Sequence, residues 1–367
     1  MVTLWRWANG LAFLLGMAAL LPSLSVAQTT NEGMIFLTRK QIVDGAMKEG
    51  KLYVTPGLDD STIALLLKAF QKKYPFIQAD GRVVDGIPAA EKQVLEMSTG
   101  KANVDAVRLH STHYSQYFGH NLLARYDFKG MVKAGHLKIP LEMIDDSAGV
   151  IVWLGSQFGL ISYNSKLVSA EKAPKGWESC LDPAWKGKFS VDTKPNIFTW
   201  LRPVWGEEKI VDFSRKLKDN DPVWSRGNTR NMTLLASGEV LMNCGMLLHS
   251  VHELLRKDPT APVKTVIPDP FPMSQQEPEA VYTAAKHPHA ALLWIEFLAS
   301  REGQELAEAE QPGRSSYLVE GTLTNKLVKG GTRLSLCLPD CRIWEDKMME
   351  RIAVEAWKLP KVGYSPK

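Results

Sequence analysis

The chain lacks the sequence signatures of the common catalytic and nucleotide-binding folds. It has no P-loop, no G-x-S-x-G elbow, no H-E-x-x-H motif and no Rossmann glycine fingerprint. Each of these fixes a nucleophile, a metal or a phosphate by a set spacing, so their absence counts against the enzymes that depend on them. His252-Glu253 is followed by Leu254-Leu255-Arg256, and the nearest approach to a zinc motif fails. Charge of one sign is also in short supply. A formal +4 spread along 367 residues gives no footprint for nucleic acid or a membrane surface. After residue 27 no apolar run approaches the ~20 residues needed to cross a bilayer. No internal repeat or low-complexity tract is present.

What is present begins at the N-terminus. Arg6 supplies a weakly positive start, Leu11 to Leu21 is uncharged and apolar, and Ser25-Val26-Ala27 offers small side chains for cleavage. The pattern predicts a secretory signal over 1–27. The apolar run is too short for a membrane anchor, and no cysteine follows it to take a lipid. The expected product is soluble, periplasmic and about 340 residues long, a length that suits two lobes better than one core. Four cysteines in an oxidising compartment can pair in three ways. Cys337 and Cys341 enclose Leu338, Pro339 and Asp340, and a proline turn favours a disulfide between them. The pairing of Cys180 and Cys244 stays open.

Strand-like runs alternate with helix-like ones, predicting an α/β fold with largely parallel sheets. Strands are expected at 51–55, 104–109, 188–192 and 239–243. Helices are expected after a cap at Asp60 or Ser61 to about Lys73, over 91–98, 231–237 and 246–257, and from Pro288. Val150 to Tyr163 reads as extended chain crossing between lobes, and Pro268 to Pro278 as the return. Ile343 to Trp357 carries apolar residues at helical intervals.

In open α/β sheets a ligand sits beyond the carboxyl ends of the strands, near helix N-termini. That rule selects four loops. Thr55, Gly57 and Ser61 lie in the first, and His110, Ser111 and Thr112 in the second. Lys194 and Asn196 lie in the third, and Asn243 and Gly245 in the fourth, with Arg226 as a further anion partner. Capping and turning explain many of the same residues equally well. His249, His252 and Glu253 share a helix face and admit a metal, but a solvated polar face explains them more simply. No metal or other cofactor is expected.

Several segments resemble the bacterial extracellular solute-binding proteins of the ferric-iron and phosphonate/thiamine-like group. They are Tyr163-Asn164, Asp182-Pro-Ala-Trp-Lys-Gly-Lys188, Ala236-Ser-Gly-Glu239, His287-Pro-His-Ala-Ala and Phe297-Leu-Ala-Ser-Arg-Glu-Gly-Gln304. The resemblance runs from about Lys51 to Tyr317. It implies a type II periplasmic-binding-protein fold, with one lobe from 28–159 plus 272–367 and the other from 160–271. It also implies a non-catalytic role, capturing a solute for an ABC permease in the inner membrane as a monomer. The ferric members carry two adjacent tyrosines where this chain has His249-Ser250 or Gly245-Met246. A small polar, anionic solute is therefore the expected ligand, met by His110, Lys194, His249 and helix N-termini. Iron held by Tyr53, Tyr114, Tyr117 or Tyr163 is the alternative, and an enzyme on the same scaffold is the alternative of another class.

Overall fold

The computed structural model describes residues 33–360, apart from 85, 111–112, 146–148 and 339–340. The expected signal at 1–27, and the candidates Ser111 and Thr112, lie outside the described residues. The first helix, α1 (Arg39–Glu49), opens on a reciprocal capping box between Thr38 and Gln41 and closes on Gly50 at φ 63°. β1 (Lys51–Thr55) leads to α2 (Asp60–Lys73), capped by Asp59 rather than by Asp60 or Ser61. The helix buries Ile63, Leu66, Leu67 and Phe70 on one face. β2 (Gln78–Gly81), α3 (Ile87–Ser98) and β3 (Ala106–Arg108) follow, and both strands pair parallel with β1. Two short helices, α4 (Tyr114–Gly119) and α5 (Phe128–Lys133), then lead to the long strand β4 (Val152–Asn164).

The next segment builds a second body. It comprises β5 (Phe189–Asp192), α6 (Asn196–Thr199), α7 (Arg202–Asp219), β6 (Val223–Ser225), α8 (Asn228–Ser237), β7 (Met242–Leu247), α9 (Leu248–Lys257) and β8 (Val263–Val266). β9 (Phe271–Val281) then runs back, followed by α10 (Pro288–Ala299), α11 (Arg301–Glu310) and α12 (Leu323–Lys329). From Ala290 to Ala299 every side chain of α10 is buried. Trp294 and Phe297 pack edge-on to Phe70 at 5.3 and 5.6 Å. The one carboxylate on that helix, Glu296, meets Arg39 at 2.6 Å, which offsets the penalty of burying it.

The strand order is β2-β1-β3-β9-β4-β7-β5-β6. The first half of β4 pairs with β9, from Val152↔Glu279 to Phe158↔Met273. Its second half pairs with β7 and β8. Largely parallel sheets were expected. The structure keeps parallel pairing at β1/β2, β1/β3, β5/β6 and β5/β7 but is antiparallel wherever β4 or β9 meets those sheets. The reason is topological: a strand that arrives from the other lobe enters each sheet against the local direction.

The tail takes an unexpected route. β10 (Leu334–Cys337) pairs with β9, and α13 (Arg342–Glu350) continues into a π-helical turn, Arg351–Ala356. Cys337, Cys341, Met348, Ile352, Ala353, Ala356 and Trp357 join the core formed by Ile161, Trp177, Phe198, Phe213 and Met242. The end of the chain thus packs on the second body, whereas the sequence grouped it with the first. Cys337 and Cys341 are disulfide-bonded with Cα atoms 5.5 Å apart. Cys180 is bonded to Cys244 across 6.2 Å.

Candidate functional site

A cavity of about 520 Å³ opens where the two bodies face each other, within the size range of small-molecule sites. Its walls come from the carboxyl ends of β1, β3, β5, β6 and β7: Gly57 to Asp59, Arg108, Asp192, Lys194, Asn196 and Ile197, Arg226 to Asn228, and Gly245, Leu247 and His249. Gln157 on the crossing strand and Gln311 and Arg314 after α11 complete it. The strand-end geometry leaves loop N–H groups and helix starts at the opening, the usual setting for ligand capture in α/β sheets.

Six of the sequence candidates line this cavity: Gly57, Lys194, Asn196, Arg226, Gly245 and His249. Thr55, Ser61, His110 and Asn243 do not. Thr55 is buried and accepts from Gln93 Nε2 at 2.6 Å, while Ser61 donates to the capping Asp59 at 3.0 Å. Asn243 lies within the sheet, donating to Ser190 and to Asn231. The strand at that point runs over 242–247 rather than 239–243, so the cleft end falls at Gly245 to His249. His110 packs on His113 with ring centroids 5.8 Å apart; it is Arg108, two residues earlier, that reaches the cleft.

The residues the sequence reading missed form the electrostatic centre. Glu277 takes φ 52°, uncommon for a residue other than glycine. Its buried carboxylate forms ion pairs with Arg108, whose Nε is 3.0 Å away, and with Arg314. Arg314 Nη2 donates in addition to the Gly57 carbonyl at 3.1 Å. A Cβ at Gly57 would collide with Glu277 and Arg108, so only glycine lets the β1 loop approach this pair. Burial would raise the Glu277 pKa, but the charges of Arg108 and Arg314 outweigh it and hold the group below the ordinary carboxylate range. Neighbouring Glu279 goes the other way: burial and then the Glu277 charge push it well above that range.

Glu279 therefore holds its proton more tightly in the folded protein than in the unfolded chain. A raised folded pKa gives stability that is complete below about 4.5 and declines as pH rises toward the folded value. Glu279→Gln, which is neutral throughout, is expected to melt above the wild type by a margin that widens as pH rises above about 4.5. A margin independent of pH contradicts the assignment.

Lys194, Arg226, Arg108 and Arg314 bring four cationic side chains to the cavity. The carboxylates beside them serve local structure. Asp59 caps α2 through Thr62 N at 2.9 Å, and Glu253 pairs with Lys257 at 2.6 Å. Asp192 accepts from the backbone of Lys194 and Gly227 at 2.8 and 3.0 Å. His249 has its pKa lowered to about 3 by burial and then by Arg314, so it faces the cleft as a neutral imidazole. Its Nδ1 is buried without a hydrogen-bond partner. No tyrosine lines the cavity among the described residues. Tyr53 faces a separate pocket at the sheet edge, Tyr114 stacks on Trp153, and Tyr117 and Tyr163 are buried in the cores. Among the described residues no His, Cys, Asp or Glu group is arranged to hold a metal.

Comparison with known proteins adds three findings. A family model described as bacterial extracellular solute-binding protein matches residues 109–334. A Haemophilus influenzae protein described as uncharacterized is 26% identical over 157 residues, 41% of this chain and 44% of that protein. The chain thus matches less than half the length of that curated relative. Among solved structures, iron-bound HitA from Pseudomonas aeruginosa is similar at TM-score 0.63 and 18% identity, covering 82% of this chain and 98% of that one. The open form of Mannheimia haemolytica ferric iron-binding protein A gives 0.66 and 16%, covering 84% and 98%. AfuA from Actinobacillus pleuropneumoniae with fructose-6-phosphate bound gives 0.59 and 19%, covering 85% and 99%. At these identities the likeness is one of fold, the two-lobed periplasmic-binding-protein architecture.

Proposed function

The chain belongs to the bacterial extracellular solute-binding protein family, and from that membership we propose that it captures a small anionic solute in the periplasm and delivers it, unchanged, to an ABC permease of the inner membrane. The observation that carries the choice of solute is the cleft lining, with Arg108, Arg314, Lys194 and Arg226 around it and no tyrosine among the described residues. Guanidinium and ammonium groups in a partly desolvated cleft favour carboxylate, phosphate or phosphonate oxygens. Fe(III) is a hard cation that needs anionic oxygen ligands, and the cationic lining opposes it.

The lobes are proposed to meet near residues 159 and 271, where β4 passes from one sheet to the other and β9 begins. Residues 337–357 are assigned to the second lobe on the strength of their packing. Solute touching both walls favours the closed form by its differential affinity for it, and the permease reads that form. The protein acts as a monomer exported by the 1–27 signal.

The test is a thermal-shift screen of residues 28–367 against inorganic phosphate, phosphonates, carboxylates, phosphorylated sugars and Fe(III). A ligand at ~100 times its dissociation constant stabilises the fold by about 2.7 kcal/mol. Hits confined to anions are expected. A shift with Fe(III) alone, with a visible tyrosinate colour, overturns the reading.

A further inference from the structure

The cleft wall at Asn196 and Ile197 belongs to α6, a helix of four residues. So short a helix is not stable by itself, and its position must be imposed by what packs on it. From below it rests on a notch made by two glycines. A Cβ at Gly159 would collide with Ile197, and one at Gly245 would stand 3.4 Å from the Phe198 ring. From above it is held by the C-terminal tail. Glu345 on α13, buried, accepts from Trp200 Nε1 at 2.9 Å, and Thr199 Oγ1 lies 3.5 Å from the same oxygen. Ser335 on β10 donates its hydroxyl to the Trp200 carbonyl at 2.7 Å. Trp357 meets Phe198 edge-on at 5.7 Å. The tail is anchored in turn by β10 on the crossing strand β9 and by Arg351 on Glu207 and Glu208 of α7, each at 2.9 Å.

We infer that the C-terminal segment 334–357 is a positioning strap for the ligand cleft, and that Glu345, through Trp200, is the residue that fixes the Asn196–Ile197 wall. Glu345 touches no solute; it sets where Asn196, and Lys194 just before it, stand. The strap also ties that wall to β9, the strand that passes between the lobes. A bundle meant only to stabilise the second lobe would need no hydrogen bonds to a cleft-forming turn. Here two separate side chains of the tail converge on Trp200, four residues from Asn196.

This inference rests on the cleft assigned above, but its test needs no solute and its outcome is independent of which anion binds. Native-state hydrogen exchange is followed in the full mature chain at the amides of Phe198, Trp200 and Leu201, which bond to Pro195, Asn196 and Phe198. Glu345→Ala is expected to speed exchange at these amides by about 10-fold or more, with β5 and β7 little changed. Glu345→Gln keeps an acceptor for Trp200 and is expected to restore the slow rates. Ser335→Ala, a milder change on the other bond, is expected to act at the same amides and keeps the question answerable should Glu345→Ala fail to fold. Unchanged exchange at 198–201 overturns the inference. So does an equal acceleration throughout β5 and β7, which marks the tail as a stabiliser of the lobe and nothing more.

Discussion

Glu277→Ala is expected to lower the unfolding free energy by about 3–5 kcal/mol at neutral pH, read by urea denaturation. The carboxylate lies between Arg108 and Arg314, whose side chains are 21% and 15% exposed. Removing it leaves two guanidinium groups facing each other away from bulk water, with neither bond to Glu277 replaced. Glu277→Gln keeps the shape but not the charge and is expected to fall between the wild type and the alanine variant. The pH dependence follows from the same contacts. A folded pKa held below the unfolded value gives stability that is complete above about 4.5 and is lost as pH falls through the folded value. The gap between wild type and Glu277→Ala should therefore narrow in acid. A loss below about 1 kcal/mol at neutral pH would mean that the arginines reach solvent instead.

Replacing Cys180 and Cys244 together by alanine is expected to destabilise the protein by about 4 kcal/mol, the loop-closure entropy for a cross-link of this span. The two residues are 64 apart in sequence. The bond ties the turn after Trp177 to β7, and both sulfurs lie in the second core with Ile161, Phe198 and Phe213. Alanine avoids burying an unsatisfied hydroxyl, so the loss reports the cross-link and a small cavity. Calorimetry is expected to show the transition lowered by about 6 °C for a chain of this length. The Cys337–Cys341 bond spans only four residues and constrains the unfolded chain far less. A double variant that melts with the wild type contradicts the assigned role.

The parts of this molecule legible in the sequence are those set by local physics. The stripe Ile63, Leu66, Leu67, Phe70 and the Tyr74-Pro75 stop fixed α2 to within a residue at each end. The run from Val150 reads as extended and is β4, and β9 occupies the segment after Pro268, since no helical period interrupts either. Of the residues chosen by the strand-end rule, Gly57, Lys194, Asn196 and Gly245 line the cavity. The failures share a cause as well. Arg108, Arg314 and Glu277 come from three distant segments, and nothing near any one of them announces the other two. Glu277 sits in a stretch whose Gln, Pro and Glu content looks like a linker, yet β9 is buried along its whole length. Asn243 was selected because the strand was expected to end there; it runs on to Leu247 instead, and Gly245 takes φ 101° inside it, where Phe198 packs over it. The destination of the tail was hidden in the same way. Its helical period showed that it would pack, but not that Trp357 would find Phe198 and Trp224.

Under the proposed function the solute is an anion, and the second wall of the cleft supplies two of the cations that would hold it. Lys194 and Arg226 are both exposed on its second wall, so they can be changed without opening a core. The decisive measurement is a calorimetric titration of the best anion from the screen into the wild type and into Lys194→Met/Arg226→Met. The solute-free variant is expected to melt with the wild type, and its affinity to be weaker by more than about 100-fold, the least expected from losing two charge-assisted contacts of roughly 1.5–3 kcal/mol each. An anion that binds both proteins equally well would contradict it.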